Sequence, residues 1–597
     1  MIFTKFLAYK GDVVKYVVKS KRSLDRMTDE RLLEELLEMR GVADPLSLLR
    51  VDSGHYCDYY NSAYEFSYME EALDLLWKHL DNEFSHIHLI FDVDVDGLTS
   101  GALYYLWHKE RYPHIPITFD CNEGKRHGLN FDIVERIPKE TTLLIIPDSS
   151  SSDVIFHEEL YSAGYDILIL DHHEFDTMQP TSAVIVNCMD GKYPNTNLTG
   201  VGVVYRFLEQ YELDLAHDLT HLDSLLPLVT LGQLADLADV RNLETRGLCL
   251  QGLEDFAENN LLLKAIVEEQ EYSMKGECNF TTISWYVAPL MNAIFRQGTL
   301  EDRIDLFKAI CNFEEERVYT PQRKTKDNPN KEPIVESLQK NIIRRAKSIK
   351  SHQDNEVKKE VKEIQSMVDE TDKVIIVDIT GIVSPGHSGL IANRLAHQYK
   401  RPVILVNDKG GSGRGYDEHP IENFNEWISQ SGLIECSGHG NAFGITFTRE
   451  QIPQLKEWCN EQLQDVDTEP IWHVDFEFDI SKLKESHVKR VGQFNSSWGG
   501  FGMEEPLFAI TGIQIETGDI QRLGAKATMM KFTTEINGQE ISFIRPFTGD
   551  EVYKEFICEN AKRRGISRDS VGNKKIEVTL IGKFKIKELT EFVEEEN

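Results

Sequence analysis

Between His88 and Asn187 the sequence alternates short apolar runs with helical stretches, and this alternation constrains the fold more than any other feature. The runs are His88–Val93, Ile117–Cys121, Thr142–Pro147, Asp166–Leu170 and Ala183–Asn187. Helical spacing lies between them at Leu98–Glu110, Phe131–Ile137 and Val154–Ala163. A strand that is apolar at nearly every position must be covered on both faces, the condition of a doubly wound, mostly parallel α/β sheet. In such a sheet ligands bind outside the carboxyl ends of the strands. Chemically active residues should therefore follow the runs, and they do.

The first run ends in DVDVDG, with Asp92, Asp94 and Asp96 at alternate positions before Gly97. Alternate positions on an extended backbone share one face, where three like charges call for an oxygen-seeking divalent cation. The third run ends at Asp148 before four serines, and the fourth at Asp171-His172-His173. Ser224–Val240 reads as one strongly apolar helix carrying Asp236 and Asp239 near its end, where a buried acid is costly unless paired or metal-bound. Each cluster alone has a plain reading: an acidic turn, a helix-capping aspartate, a structural histidine pair, or for Asp239 a solvated helix-end acid. Four clusters at the ends of one sheet converge on a metal site. Carboxylates with one or two imidazoles suit Mn²⁺ or Mg²⁺, the imidazoles favouring Mn²⁺, whereas zinc would recruit more cysteine or histidine. Two such ions about 3.5–4 Å apart can hold a phosphodiester, acidify a bound water and stabilise both oxygens of an in-line displacement.

The chain of 597 residues exceeds a single core, and about three or four domains are expected. No apolar run of about 18 residues predicts a membrane span, and the N-terminus has no signal-peptide pattern. Nine cysteines scattered singly point to reduced thiols and a cytoplasmic location. The net charge of −34 argues against a general polyanion binder but leaves room for a narrow basic groove. Residues 1–80 look helical and accessory, with amphipathic stretches at Glu30–Met39 and Tyr68–Leu80. Pro333–Met367 predicts a long helix of mixed sign in which Arg344, Arg345, Lys347 and Lys350 cluster. A second strand–helix series starts near Asp372 and ends in GGSGRG at 410–415, where glycines admit a phosphate and Arg414 can grip it. Past about 470 short β runs suit a small barrel that stacks bases beside a basic groove. Lys526, Lys531, Arg545, Phe532 and Phe543 are candidates there, although aromatics at strand spacing belong more often to a core.

Taken in order, DVDVDG, Asp148, the 171–173 DHH and LGQLAD at 231–236 resemble the four motifs of the DHH phosphoesterase superfamily. VAPLMNAIFR at 287–296 resembles the Pro-x-x-Asn-Ala-x-x-Arg segment of RecJ-type single-strand exonucleases. GHSGLIANRL at 386–395, GSGR at 411–414 and SGHGNAFG at 437–444 resemble a DHHA1-type domain, and GGFGMEEPLF at 499–508 the entry to an oligonucleotide-binding domain. The resemblance covers roughly residues 68–590. It implies an N-terminal helical accessory region over 1–67, a DHH catalytic domain over 68–330 and a linking helix over 331–369. A smaller α/β DHHA1-type substrate domain over 370–465 and an OB-like β-barrel over 466–597 complete the order. It places Asp94, Asp96, Asp148, His172 and Asp236 on the metal ligands, Asp148 bridging two ions, with Asp92 as a supporting carboxylate and His173 facing the phosphate. Asp171 then orients the histidines. Ser412, Arg414 and His439 would contact the nucleic-acid end, with Asn292 and Arg296 next.

The implied activity is metal-dependent hydrolysis of single-stranded DNA from the 5′ end, in recombination or repair. A single-strand-binding protein or a helicase is the kind of partner such work calls for. A phosphodiesterase of short oligonucleotides or cyclic dinucleotides and a catalytically dead single-strand-binding scaffold are the rival readings. The sequence departs from the family in two places. Ser150 stands where the family has glycine, and the loop CNEGKRHGLN at 121–130 replaces an arginine-containing segment. Lys125 and Arg126 both offer the positive charge, and His127 is equally a phosphate contact or a plain loop histidine.

Overall fold

The computed structural model describes residues 2–8, 15–124, 126–324, 328–384, 386–408, 410–523, 529–536, 539–545 and 575–585. It separates into two compact units. One comprises Asp44–Glu356 with Gly499–Glu504; the other takes the remaining segments, and the boundary at Glu356 falls within one long helix, Leu338–Gln365.

The first unit is built on a parallel sheet of β1 (Ile87–Phe91), β2 (Ile117–Cys121), β3 (Leu143–Pro147), β4 (Asp166–Asp171) and β5 (Val184–Asn187). The order is β2-β1-β3-β4-β5, every neighbour parallel. β1 and β3 are buried at every position, as strands covered on both faces must be. α1 (Val95–Arg111), α2 (Gly200–Asp214) and α3 (Leu226–Ala235) pack against one another beside the sheet. Gly101 of α1 lies against Phe91, whose ring stacks on Phe307 at 4.4 Å; a Cβ at Gly101 would collide with Phe91. The chain leaves β1 for β2 on one side and returns to β3 on the other. That reversal opens a crevice at their carboxyl ends, the place where such sheets bind ligands.

Two local expectations are corrected. The strand ends at Phe91, and Asp94 caps α1 through Gly97 N–H (2.9 Å), so Asp96 sits in a first helical turn. The three acids therefore do not line a strand face: N-capping outcompetes extension once a glycine follows. Ser224–Val240 is likewise not one helix. α3 stops at Asp236, Leu237 takes a left-handed φ of 58°, and Ala238 N–H closes on Gln233 O at 2.9 Å, a Schellman end made without glycine. Asp239 lies beyond this end and is paired with Arg241 at 2.5 Å rather than solvated.

In the second unit β6 (Ile375–Asp378), β7 (Val403–Asn407), β8 (Gly410–Arg414), β9 (Glu435–His439) and β10 (Ala442–Thr446) form a sheet of order β6-β7-β8-β10-β9, parallel only between β6 and β7. The glycines of β8 serve packing. A Cβ at Gly411 would fall on the Leu405 carbonyl, and one at Gly413 on the Phe443 ring. A seven-stranded sheet takes Phe476–Asp479, Phe508–Glu516, Lys575–Lys585, Ile2–Ala8, Gln539–Arg545, Met529–Ile536 and Gln521–Leu523 in that order. Among the described residues its two edge strands do not pair, and the expected barrel is not closed there. Where a helical N-terminus is expected, Ile2–Ala8 and Tyr16–Val18 are strands, the latter paired with Trp472–Val474; helices follow at Asp29–Glu38 and Pro45–Asp52. The aromatic and β-branched residues of IFTKFLA favour that outcome.

Candidate metal centre

Each acid reaches the crevice on a different element. Asp92 follows β1 and is buried, and its carboxylate accepts hydrogen bonds from His127 Nδ1 and Gly128 N–H. Asp96 points from α1 into the N-terminus of α2, accepting from Thr199 Oγ1 (2.8 Å), Gly200 N–H (2.7 Å) and Val201 N–H (3.2 Å). Three donors at a helix N-terminus hold a carboxylate in one orientation and complement its charge. Asp148 follows β3 with a left-handed φ of 65°. It is fully buried, and its Oδ1 takes no hydrogen bond although His172 Nε2 lies 3.1 Å away. His172 Nε2 is also 3.7 Å from Asp96 Oδ2 and 3.7 Å from Asp236 Oδ2, the latter carried by the end of α3.

Asp171 organises the pair behind it. Its oxygens accept from Ser151 N–H (3.1 Å), His172 N–H (2.7 Å), His173 N–H (3.2 Å) and His173 Nδ1 (2.8 Å). Burial opposes its ionisation, but these bonds and the imidazole charges hold it well below the usual carboxylate range. Through the hydrogen bond to Asp171, His173 is pushed up to about 9 and carries a positive charge at the rim. His172 is shifted the other way, because burial favours the neutral ring that ligates metals.

The acids themselves are strained by one another. Burial first, then the charges of Asp92 and Asp96, push Asp94 up to about 7. Burial and then Asp96 and Asp94 raise Asp148 well above its ordinary value. Asp236, nearly half exposed, is pushed up to about 7 by its protein surroundings and by Asp96. A buried carboxylate oxygen without a donor and a set of mutually repelling acids are what a bound cation relieves. Among the described residues three groups have ligand atoms within 4.8 Å of one another: Asp92, Asp94 and His127; Asp96, His172 and Asp236; and Asp148, His172 and His173. The donor set, all carboxylate and imidazole, fits Mn²⁺ or Mg²⁺.

Asn292 and Arg296, on α4 (Ala288–Gln297), line one pocket of about 260 Å³ with Asp94, Asp96, His127 and Asp236. The structure thus brings together the sequence candidates of this unit. Ser412 and Arg414 lie on β8 of the other unit; Ser412 Oγ is 2.9 Å from Ser388 Oγ, and Arg414 donates to Gly413 O at 2.7 Å. His439 is at the end of β9, in register through Ala442 with Arg414. Arg126 is engaged by Asp132, and Lys125 and Lys526 lie outside the described residues. The basic cluster of the long helix is also engaged. Arg345 binds Asp302 and Asp305, Arg344 binds Glu336, and Lys347 binds Glu269. Phe532 and Phe543 stack in the core at 4.9 Å.

The sequence left His127 open and missed the residues that support the centre. Gly232 is one: a Cβ there would strike Asp96 Oδ1 and Thr99 Oγ1, and one at Gly200 would strike Asp148. Arg303, buried, ties Asn122 O (2.5 Å) and Gly124 O (2.6 Å) of the loop before His127 to Phe295 O (2.6 Å) of α4. The only sequence signal for Gly200 is a Thr-Gly ahead of an apolar helix.

A sheet of this order with carboxylates and a histidine pair gathered at its switch point defines a phosphoesterase of the DHH class, and the DHH family N-terminal domain model matches residues 86–232. YorK, from the SPbeta prophage of Bacillus subtilis and named as a single-strand DNA-specific exonuclease, is 32% identical over 87% of this chain and 89% of its own. RecJ of B. subtilis, named as a single-stranded-DNA-specific exonuclease, is 26% identical over 82% of this chain and 59% of its own. A crystal structure of Thermus thermophilus RecJ with Mn²⁺ superimposes with a TM-score of 0.64 at 17% identity, covering 91% of this chain and 79% of that one. The chain belongs to the RecJ-type exonuclease family of DHH phosphoesterases.

Proposed function

We propose that this chain is a metal-dependent exonuclease that removes nucleotides from single-stranded DNA, working from the 5′ end, in recombination or repair in the cytoplasm. The observation that carries the proposal is the buried Asp148 oxygen, without a donor, at the centre of three converging ligand groups. Asp94, Asp96, Asp148, His172 and Asp236 would hold two Mn²⁺ or Mg²⁺ ions, with Asp92 in support. When bound, such ions polarise the phosphodiester, supply a nucleophilic water and balance charge on the leaving oxygen. Asp171 fixes the imidazole of His173, whose Nε2 then faces the phosphate as a cation. Asn292 and Arg296 orient the strand in the same pocket. Specificity for single-stranded DNA follows the names of the relatives, and the 5′ polarity rests on the RecJ resemblance alone.

The remaining parts extend this reading. The catalytic domain is taken as 68–330, joined by a linking helix over 331–369 to a DHHA1-type domain over 370–465, in which Ser412, Arg414 and His439 grip the terminal nucleotide. Residues 466–597 act as an OB-like strand-binding module, and 1–67 as an accessory region. Among the described residues no helix is long and apolar enough to cross a membrane. Comparing the rate on a long single strand with that on a dinucleotide and on a duplex tests the proposal. Preference for the long single strand, with mononucleotides released, is expected; preference for the dinucleotide would replace it with the short-substrate reading.

A further inference from the structure

The helix that carries Asn292 and Arg296 is entered through a widened turn. Ile283–Val287 is a π segment that runs directly into α4. Pro289 has no amide to offer the carbonyl of Trp285, so the α ladder is broken at this turn. Such single π turns mark functional positions in helices, because they rotate side chains onto a face that a regular helix would not offer. From Trp285 to Arg296 the positions reaching the surface are Trp285, Tyr286, Pro289, Asn292 and Arg296, while the others are buried. Trp285 is 71% exposed and Tyr286 37%. By helical spacing Trp285 shares a stripe with Pro289, Asn292 and Arg296, and the last two line the pocket of Asp94, Asp96 and Asp236. Seven residues separate Trp285 from Asn292, about 10 Å along the axis. An indole open to water on the helix that lines the pocket offers a flat, partly apolar face that a base can cover.

We propose that Trp285, flanked by Tyr286, is a base-stacking platform that holds a nucleobase of the single strand a few nucleotides away from the phosphodiester being cleaved. This rests on the single-strand reading given above and adds to it a sequence-tolerant grip: every base has a π face, and stacking needs no basic groove. It also answers the charge problem. A chain of net charge −34 gains little from phosphate attraction, whereas an aromatic surface binds bases regardless of that charge. In a duplex the bases are already stacked and paired, so the platform favours single strands.

The test is fluorescence anisotropy in EDTA, with the full-length protein and two probes of equal length, oligothymidylate and its abasic counterpart. The wild-type protein should bind oligothymidylate roughly tenfold more tightly than the abasic strand. Trp285→Ala should lose roughly that factor on oligothymidylate and no longer distinguish the probes, while Trp285→Phe, which keeps an aromatic face, should retain most of it. Because Trp285 is largely exposed, the Ala variant should keep its melting temperature. Equal discrimination by Trp285→Ala and wild type would overturn the platform and leave the nuclease reading standing. A wild-type protein that neither binds nor degrades the base-bearing strand would overturn both.

Discussion

Ser150 shows how a departure from a family pattern is absorbed by one residue. It occupies a left-handed φ of 79°, a conformation natural to glycine that costs another residue about 1 kcal/mol. Its Oγ accepts from Leu129 N–H at 3.0 Å, and its carbonyl accepts from His157 Nε2 at 2.9 Å, so the strained turn beside Asp148 is tied down on both sides. Ser150→Gly should therefore be nearly neutral, relieving strain while losing one bond. Ser150→Ala keeps the strain and loses the bond, and should be less stable than Ser150→Gly by about 1 kcal/mol, read as melting temperature. The metal centre makes a second prediction. Asp94 and Asp236 are pushed up to about 7 by desolvation and by neighbouring acids. Their folded values lie above the unfolded value of about 4, so in metal-free protein their stabilising contribution is present below pH 4 and is lost as pH rises through about 7. A cation binds only the ionised forms and expels the remaining protons. Apparent Mn²⁺ affinity, measured by calorimetry in buffers of differing ionisation enthalpy, should rise between pH 6 and 8 and then level, with proton release falling to zero. Affinity independent of pH would mean that the acids are not the ligands.

At the level of elements, the site depends on close packing of α1, α2 and α3. Asp96 is placed by the N-terminus of α2, and Gly232 of α3 leaves it the necessary room. Gly232→Ala should push the Asp96 carboxylate aside and lower kcat by about a hundredfold, the scale of a 1 Å misplacement, with a loss of about 1–3 kcal/mol in stability. A variant with unchanged kcat would show that Asp96 is not held by this contact. This is where the sequence was least legible. Continuous apolar runs predict strands well, because coverage on both faces leaves no alternative. Periodicity cannot see that Asp94 caps a helix, that Leu237 ends one in a left-handed turn, or that Gly411 and Gly413 make room for Leu405 and Phe443. The first two are set by local capping bonds that carry no apolar period, the third by tertiary neighbours. His127 was undecidable for the same reason: its place beside Asp92 and Asp94 depends on a loop held by Arg303 from far along the chain.

Over the whole molecule, the catalytic unit was legible because its acids follow its strands in sequence order. The β-rich part was less so. Ile2–Ala8 joins a sheet with strands beyond residue 500, and no local pattern announces a pairing at that separation. We propose that the site at the β1/β3 switch point hydrolyses single-stranded DNA with metal held through Asp148. Digestion of a single-stranded DNA labelled at its 5′ end, by wild type and Asp148→Ala in Mn²⁺ and in EDTA, tests it most directly. Wild type should release labelled mononucleotide in Mn²⁺ and none in EDTA, and Asp148→Ala should lose more than about a hundredfold with its melting temperature in EDTA kept or raised. Undiminished hydrolysis by Asp148→Ala, or hydrolysis in EDTA, would contradict it.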